Sequence, residues 1–467
     1  MSAIIEPDKE NFRDRITTVE EDGSRKWIIA KQPKGRYYNR RTIVSVFYLL
    51  LFFALPLIQY HGEPLVMLNV VERKFILFGL HFGVQDLIVF GLGMLTFVVF
   101  IVLFTVIFGR LFCGWACPQT IFMEMVFRRI EYWIEGDMQQ QRAIAKAPWD
   151  QSKITKRAFK YIVFFLISFL IANTFLAYII GLPALRTIVT EPLSQHIVGF
   201  ISLLLFTTAF FVVYTFLREQ ICIVACPYGR LQGVMLDKNS IVVAYDYVRG
   251  EPRGKMTKTS EHPKGDCIDC KACVHVCPTG IDIRNGTQLE CINCTACIDA
   301  CDQIMDKIGK DRGLIRYASD NNIIQNTKLK LSPRIIAYSI VLVALLALLA
   351  FTFAGHSVVD ASILRTPGQF YQENVDGTIS NLYNFKVANK QSKPLHMKLT
   401  MSHKEGQIKI IGSDDISIPP GGEKQGQLFI IIPQQKITEK KMPLEIIIWD
   451  DQKQIKTITT TFMAPVK

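Results

Sequence analysis

The sequence has no GxGxxG fingerprint, no P-loop and no HExxH motif, so neither a Rossmann nucleotide site nor an ATP-driven motor finds support. The first forty residues mix Asp, Glu, Lys and Arg, and lack a short apolar stretch followed by a small-residue cleavage site. A removable signal peptide is therefore not expected, and the first membrane helix is retained. No charged residue occurs from Leu87 to Gly109, a pattern that a half-solvated helix does not tolerate. No cysteine occurs in residues 356–467, which speaks against a disulfide framework there.

What is present is apolar: 49% of the 467 residues are hydrophobic. Runs near the roughly 20 residues needed to cross a bilayer fall at about 43–60, 87–109, 161–181, 197–217 and 335–355. The net charge of +12 is explained by where it sits. Between Arg25 and Arg41 there are seven Lys or Arg and no acid, and residues 110–160 hold nine basic residues against five acidic. The 61–86 connection has only Arg73 and Lys74, and the 182–196 connection only Arg186. The positive-inside rule then predicts that the N-terminus, 110–160 and 218–333 face the cytoplasm, with the last hundred residues outside. Basicity belongs to the membrane surface, and nucleic acid is not an expected partner.

The expected organisation is a cytoplasmic N-terminal arm, polar and flexible (1–41), transmembrane hairpins (42–218), a cytoplasmic cysteine-rich domain (219–333), a final transmembrane helix (334–356) and a periplasmic domain (357–467). The last has short alternating runs, Leu395 to Met401, Gln407 to Ile411, Gln427 to Ile432 and Leu444 to Trp449, with turn signals such as Pro419-Pro420-Gly421-Gly422. That pattern predicts an antiparallel sandwich suited to docking or scaffolding. Gln119 to Asp137 shows helical spacing and is expected along the membrane surface.

Twelve cysteines carry the chemistry. Cys267, Cys270, Cys273 and Cys277, followed by Pro278, form a CxxCxxCxxxCP run that recurs as Cys291, Cys294, Cys297 and Cys301 with Asp302 in the proline position. Three thiolates at this spacing wrap one face of a [4Fe-4S] cubane, and the fourth serves the other cluster. The expected sets are Cys267, Cys270, Cys273 and Cys301 for cluster one, and Cys291, Cys294, Cys297 and Cys277 for cluster two. Zinc also suits thiolates but commonly uses two CxxC knuckles, so two clusters are the expectation.

Two further motifs end the hairpins: Arg110 before Cys113, Cys117 and Pro118, and Arg218 before Cys222, Cys226 and Pro227. Residues four apart share a helix face, so each pair is expected to present two thiols together, with the proline breaking the helix. Buried, inert cysteines are the alternative. Soft thiolates favour Cu(I), and four at one membrane edge suit transient copper binding or reduction, with a reversible disulfide. His61, His81, His196 and His356 fall at predicted outer helix ends and are read as interfacial residues rather than a shared haem or copper site.

The hairpins, FCGWACPQT at 112–120, ACPYGR at 225–230, the double ferredoxin run, the final helix and the β-rich tail together resemble the family named CcoG, FixG or RdxA, accessory proteins of cbb-type cytochrome c oxidase. The resemblance covers nearly the whole chain. It implies a multi-domain membrane protein with an α-helical transmembrane bundle of about five helices, an inserted bacterial 2[4Fe-4S] ferredoxin-like domain and a C-terminal all-β immunoglobulin-like sandwich. It also implies reduction of Cu(II) to Cu(I) for oxidase assembly in the bacterial inner membrane, with Cys113, Cys117, Cys222 and Cys226 as copper-handling thiols. The implied partners are the lipid bilayer, a cytoplasmic electron donor (flavoprotein, ferredoxin or quinol), and a copper-exporting ATPase or oxidase subunits. An electron-transfer subunit of a quinol or periplasmic reductase system, and a non-catalytic scaffold with redox-sensing clusters, are the competing readings.

Overall fold

The structure is a computed structural model. It describes residues 17–465 except 21, 61–62, 70–73, 84–85, 193, 255–264, 326–332, 355–358, 369, 392, 403–404, 413–415 and 452. Among the described residues five helices are long and apolar enough to cross a membrane: Arg36–Leu57, Ile88–Phe108, Gln151–Ile180, Ile197–Leu217 and Pro333–Phe353. Their apolar side chains are largely exposed, as a lipid-facing surface requires. The first and third begin well before the expected 43 and 161. Both start with basic, helix-compatible residues that a search for uncharged runs leaves out.

One compact unit comprises Met1–Ala54, Leu92–Leu176 and Thr187–Leu348. After the second span the chain makes a short helix, Leu111–Trp115, and then an unbroken helical stretch from Pro118 to Glu135 whose middle, Ile121–Phe127, is π-helical. The apolar residues in the middle of this stretch pack inside the protein. Ile121, Phe122, Met123, Met125 and Phe127 are buried, and Phe127 stacks on Tyr214 with ring centroids 4.6 Å apart. A seven-residue π-segment turns residues inward that a regular helix would leave outside.

The fourth span is fixed to this stretch by buried ions. Arg218 donates to both carboxylate oxygens of Glu131 at 3.3 and 2.8 Å. Lys160 stands 3.4 Å from Glu131 and 2.7 Å from Glu135, and Arg128 stands 2.9 Å from Glu124. Burial alone would raise the Glu131 pKa, but Arg218, Lys160 and Arg128 hold it down to about 2.

The cysteine-rich region is a small α/β fold. Val242–Tyr245 pairs antiparallel with Ile315–Ala318, and the helices Ala272–His275 and Ala296–Lys307 follow the two cysteine runs. The N-terminal arm from residue 17 is bound to this fold, where a flexible segment was expected. Lys31 N–H donates to the His275 carbonyl at 2.7 Å, and Asp299 accepts from Tyr37 and Tyr38 N–H at 3.0 and 2.8 Å. One carboxylate thereby satisfies two orphan donors at the start of the first span.

The second unit comprises Leu55–Gly91, Ala177–Arg186 and Leu349–Lys467. Its C-terminal part is the expected antiparallel sandwich. One sheet runs Gln407–Ile410, Glu423–Pro433, Thr378–Asn389, Val359–Arg365, with Gln372–Glu373 also on Thr378–Asn389. The other runs Ile416–Ile418, Leu395–Met401, Lys441–Asp450, Lys453–Met463. Alternate residues of both sheets, among them Val387, Ile430, Ile446 and Phe462, form one dry core. Tyr383 is wholly buried and donates to the Thr461 carbonyl at 2.9 Å. The 61–86 connection also holds a small sheet, Val66–Asn69, Lys74–Leu77 and Leu80–Phe82, which the sequence reading did not anticipate.

Candidate metal centres

The two ferredoxin runs share one backbone course. Asp269 and Lys271 in the first, and Asn293 and Thr295 in the second, have φ of 52°, 56°, 53° and 65°. These left-handed residues occupy the second and fourth positions after the leading cysteine of each run. Such strained positions in non-glycine residues mark a functional wrap of chain. The runs then diverge. Pro278 stops the first helix, whereas Asp302 lets Ala296–Lys307 continue through Cys301, its carboxylate accepting the Gly313 N–H at 3.0 Å.

Two cavities result. One is lined by Cys267, Cys270, Cys273 and Cys301 with Met305, Leu314 and Ile315. The other is lined by Cys277, Cys291, Cys294 and Cys297, with Cys273 between the two. Burial pushes the Cys301 thiol up to about 12, assisted by Cys273, Cys270 and Cys267. Burial likewise pushes Cys291 to about 12 and Cys294 to about 11. Such thiols ionise when a cation takes the proton's place, and a four-cysteine apolar pocket fits a [4Fe-4S] cluster.

Sulfur-directed donors complete these pockets. The N–H groups of Thr279, Gly280 and Ile281 face the Cys277 sulfur, and the Thr279 hydroxyl lies 3.4 Å from it. Asn293 and Ala296 N–H face Cys291 and Cys294.

The CxxxCP motifs are built otherwise than a single helix face. Cys113 sits in the helix Leu111–Trp115, which ends before Cys117. Cys222 sits in the π-turn Ile221–Ala225, which ends before Cys226. Cys117 and Cys226 are the extended residues (φ/ψ −65°/126° and −75°/112°) that precede Pro118 and Pro227, each the first residue of a new helix. The proline break is as expected. The two thiols of each motif lie within electrostatic reach of one another across that break.

All four thiols converge. Cys222 lies within electrostatic reach of Cys117, Cys113 and Cys226, and burial pushes it to about 12. Cys113, pushed to about 11 by burial, lies within reach of Cys117 and Cys226. No cysteine of the twelve is in a disulfide. Gly229 makes the convergence possible, since a β-carbon there would stand 2.6 Å from the Cys222 carbonyl.

This group adjoins the second ferredoxin pocket. Cys113 packs on the cluster of Val276, Ile292, Cys294 and Ala296. Trp115 Nε1 donates to the Tyr317 hydroxyl at 3.1 Å. Arg110, buried, lies within electrostatic reach of both Cys113 and Cys291. The sequence places Arg110 and Arg218 before the CxxxCP motifs but gives no sign of Gln232, whose Oε1 accepts from the Cys113 thiol at 3.5 Å. A lone Gln in a helix carries no signal without its neighbours.

His196 lies 2.5 Å from Glu191. His61 and His356 lie outside the described residues.

Comparison with known proteins agrees with this architecture. Residues 217–320 match a 4Fe-4S dicluster domain, 90–137 a 4Fe-4S binding domain, and 349–465 the Ig-like fold at the C-terminus of FixG. Protein RdxA of Cereibacter sphaeroides is 34% identical over 87% of this chain and 89% of its own length. Protein RdxB of the same organism is 33% identical over 80% and 82%, and nitrogen fixation protein FixG of Rhizobium meliloti 34% identical over 66% and 60%. With five membrane-length helices, two 4Fe-4S-binding domains and an Ig-like C-terminal domain, the chain belongs to the FixG/RdxA family of multi-pass membrane iron-sulfur electron-transfer proteins.

Proposed function

We propose that this protein takes electrons from a cytoplasmic donor and delivers them to Cu(II), giving Cu(I) for a cbb-type cytochrome c oxidase under assembly. Cys267, Cys270, Cys273 and Cys301 would hold one [4Fe-4S] cluster, and Cys277, Cys291, Cys294 and Cys297 the second. When bound, the clusters supply one-electron transfer, one electron for each Cu(II). The chain's part is to bury them, to aim N–H groups at their sulfurs and to set one beside the four CxxxCP thiols, where electrons leave for copper.

The observation that carries this reading is the continuity of twelve cysteines in three adjoining groups. One end of the series is open: Cys270 is the exposed cysteine of the twelve, next to exposed Lys271, and is the natural entry for a donor. At the other end, Cys113 and its three partners adjoin the membrane spans that end at Phe108 and Leu217. The distribution of Lys and Arg supports cytoplasmic placement of the N-terminus and ferredoxin domain, with the Ig-like domain in the periplasm. A copper exporter or oxidase subunits would then take up the product.

The test is anaerobic mixing of the full-length, dithionite-reduced protein in detergent with Cu(II), with a Cu(I)-specific chelator as the readout. One Cu(I) per electron lost by the clusters is expected. Reduced clusters that ignore Cu(II) but are oxidised by a quinone would overturn the proposal in favour of a quinone-linked electron-transfer subunit.

A further inference from the structure

The four thiols at the motif ends have a feature that copper handling alone does not require. The Cys117-Pro118 corner repeats the sulfur environment of the Cys277-Pro278 corner. At Cys277 the N–H groups of residues two, three and four positions on face the sulfur; at Cys117 those of Gln119 and Thr120, two and three positions on, do the same. The Thr279 hydroxyl lies against Cys277, and the Thr120 side chain against Cys117 and Cys222. Backbone donors aimed at sulfur are how proteins tune iron-sulfur centres.

A second observation is independent of these corners. Gln232 is completely buried; its Oε1 accepts from the Cys113 thiol, while its Nε2, near the Tyr228 hydroxyl, makes no hydrogen bond of good geometry. A buried amide N–H pair is costly to leave unmatched, and a bound inorganic sulfide or cysteinate would satisfy it.

A separate match adds weight: the 4Fe-4S binding domain model at 90–137 lies outside the dicluster region and contains only Cys113 and Cys117. Two cysteines are half a cubane's ligand set, and Cys222 and Cys226 are in place to complete it.

From this geometry we infer that Cys113, Cys117, Cys222 and Cys226 jointly hold a third [4Fe-4S] cluster. The inference deepens the proposed function by specifying what the terminal thiol group contains: copper receives its electron at this centre without being bound by the four cysteines, and no disulfide forms among them. Arg110, buried beside Cys113 and Cys291, supplies a positive charge between two anionic centres.

The test is the iron and acid-labile sulfide content of the full-length protein, purified anaerobically in detergent, reconstituted with Fe(II) and sulfide, and desalted. About twelve irons per chain are expected, four for each cubane. C113S combined with C222S should remove about four while leaving the ferredoxin-type EPR signals of the reduced protein, which also shows that the variant has folded. A wild-type count of about eight, with the four thiols open to alkylation before denaturation, would overturn the inference, as would a single zinc or copper ion held by them. Cu(II) reduction measured on the same sample separates the claims. Twelve irons without Cu(I) formation retains the third cluster and rejects the copper role; eight irons with Cu(I) formation does the reverse.

Discussion

The α-carbon of Gly114 lies against the carbonyl oxygen of Ile292, so closely that a β-carbon would collide with it. The helix carrying Cys113 therefore rests directly on the loop between Cys291 and Cys294. Replacing Gly114 by alanine must push these apart, at a cost of about 1–3 kcal/mol for overpacking. G114A is expected to keep full iron content while slowing Cu(I) formation in stopped-flow. An unchanged rate would show that the contact does not govern electron delivery.

Arg110 is the buried cation shared by Cys113 and Cys291. Its charge favours the more negative, reduced state of an adjacent centre. R110Q should lower a midpoint potential by about 60 mV, a tenfold change for a one-electron couple, with R110K restoring most of it. EPR-monitored redox titration reads the shift directly, and potentials equal to wild type would refute the role.

Entry at Cys270 makes a different demand. Lys271 is exposed beside it, so K271E should weaken docking of an acidic donor protein, with the effect shrinking as salt is raised. Reduction by dithionite, a small reductant, should be unaffected. Equal loss with both reductants would point to cluster damage instead.

The Glu131 carboxylate titrates at about 2 in the folded protein, against 4.5 ordinarily. A depressed acid stabilises the fold above the ordinary value, and that contribution disappears as pH falls from about 4.5 toward 2. Circular-dichroism melts should show an acid-labile limb in this range. E131Q, which leaves Arg218 and Lys160 buried without their full charge partner, should cost about 3–5 kcal/mol at pH 7 and flatten that limb. A limb of undiminished steepness in the variant would assign it to other carboxylates.

Much of this was legible in the residues. Uncharged runs located the five spans, because lipid tolerates little else, and alternation located the sandwich strands Leu395–Met401 and Gln407–Ile410. Span starts were misplaced where basic residues such as Arg40 and Arg41 continue a helix into the apolar run. The buried course of Ile121–Phe127 was illegible, since a π-segment shifts the facing of residues that a period of 3.6 assigns. The cysteine spacings carried the chemistry, but not the meeting of Cys113 with Cys222, which depends on Gly229 and on the Arg218–Glu131 pair holding distant segments together.

The grip of Asp299 on Tyr37 and Tyr38 spans 262 and 261 residues of sequence. At a translation rate of about 5–20 residues per second, roughly 10–50 s pass between the appearance of the first span and that of the carboxylate that caps it. Through that interval the arm can already meet residues 129–137, where the Tyr132 hydroxyl donates to the Ala30 carbonyl, but not His275 or Asp299, and Cys113 and Cys117 wait for Cys222 and Cys226. Chain order thus makes the four-thiol group available for completion before the ferredoxin fold can dock onto the arm.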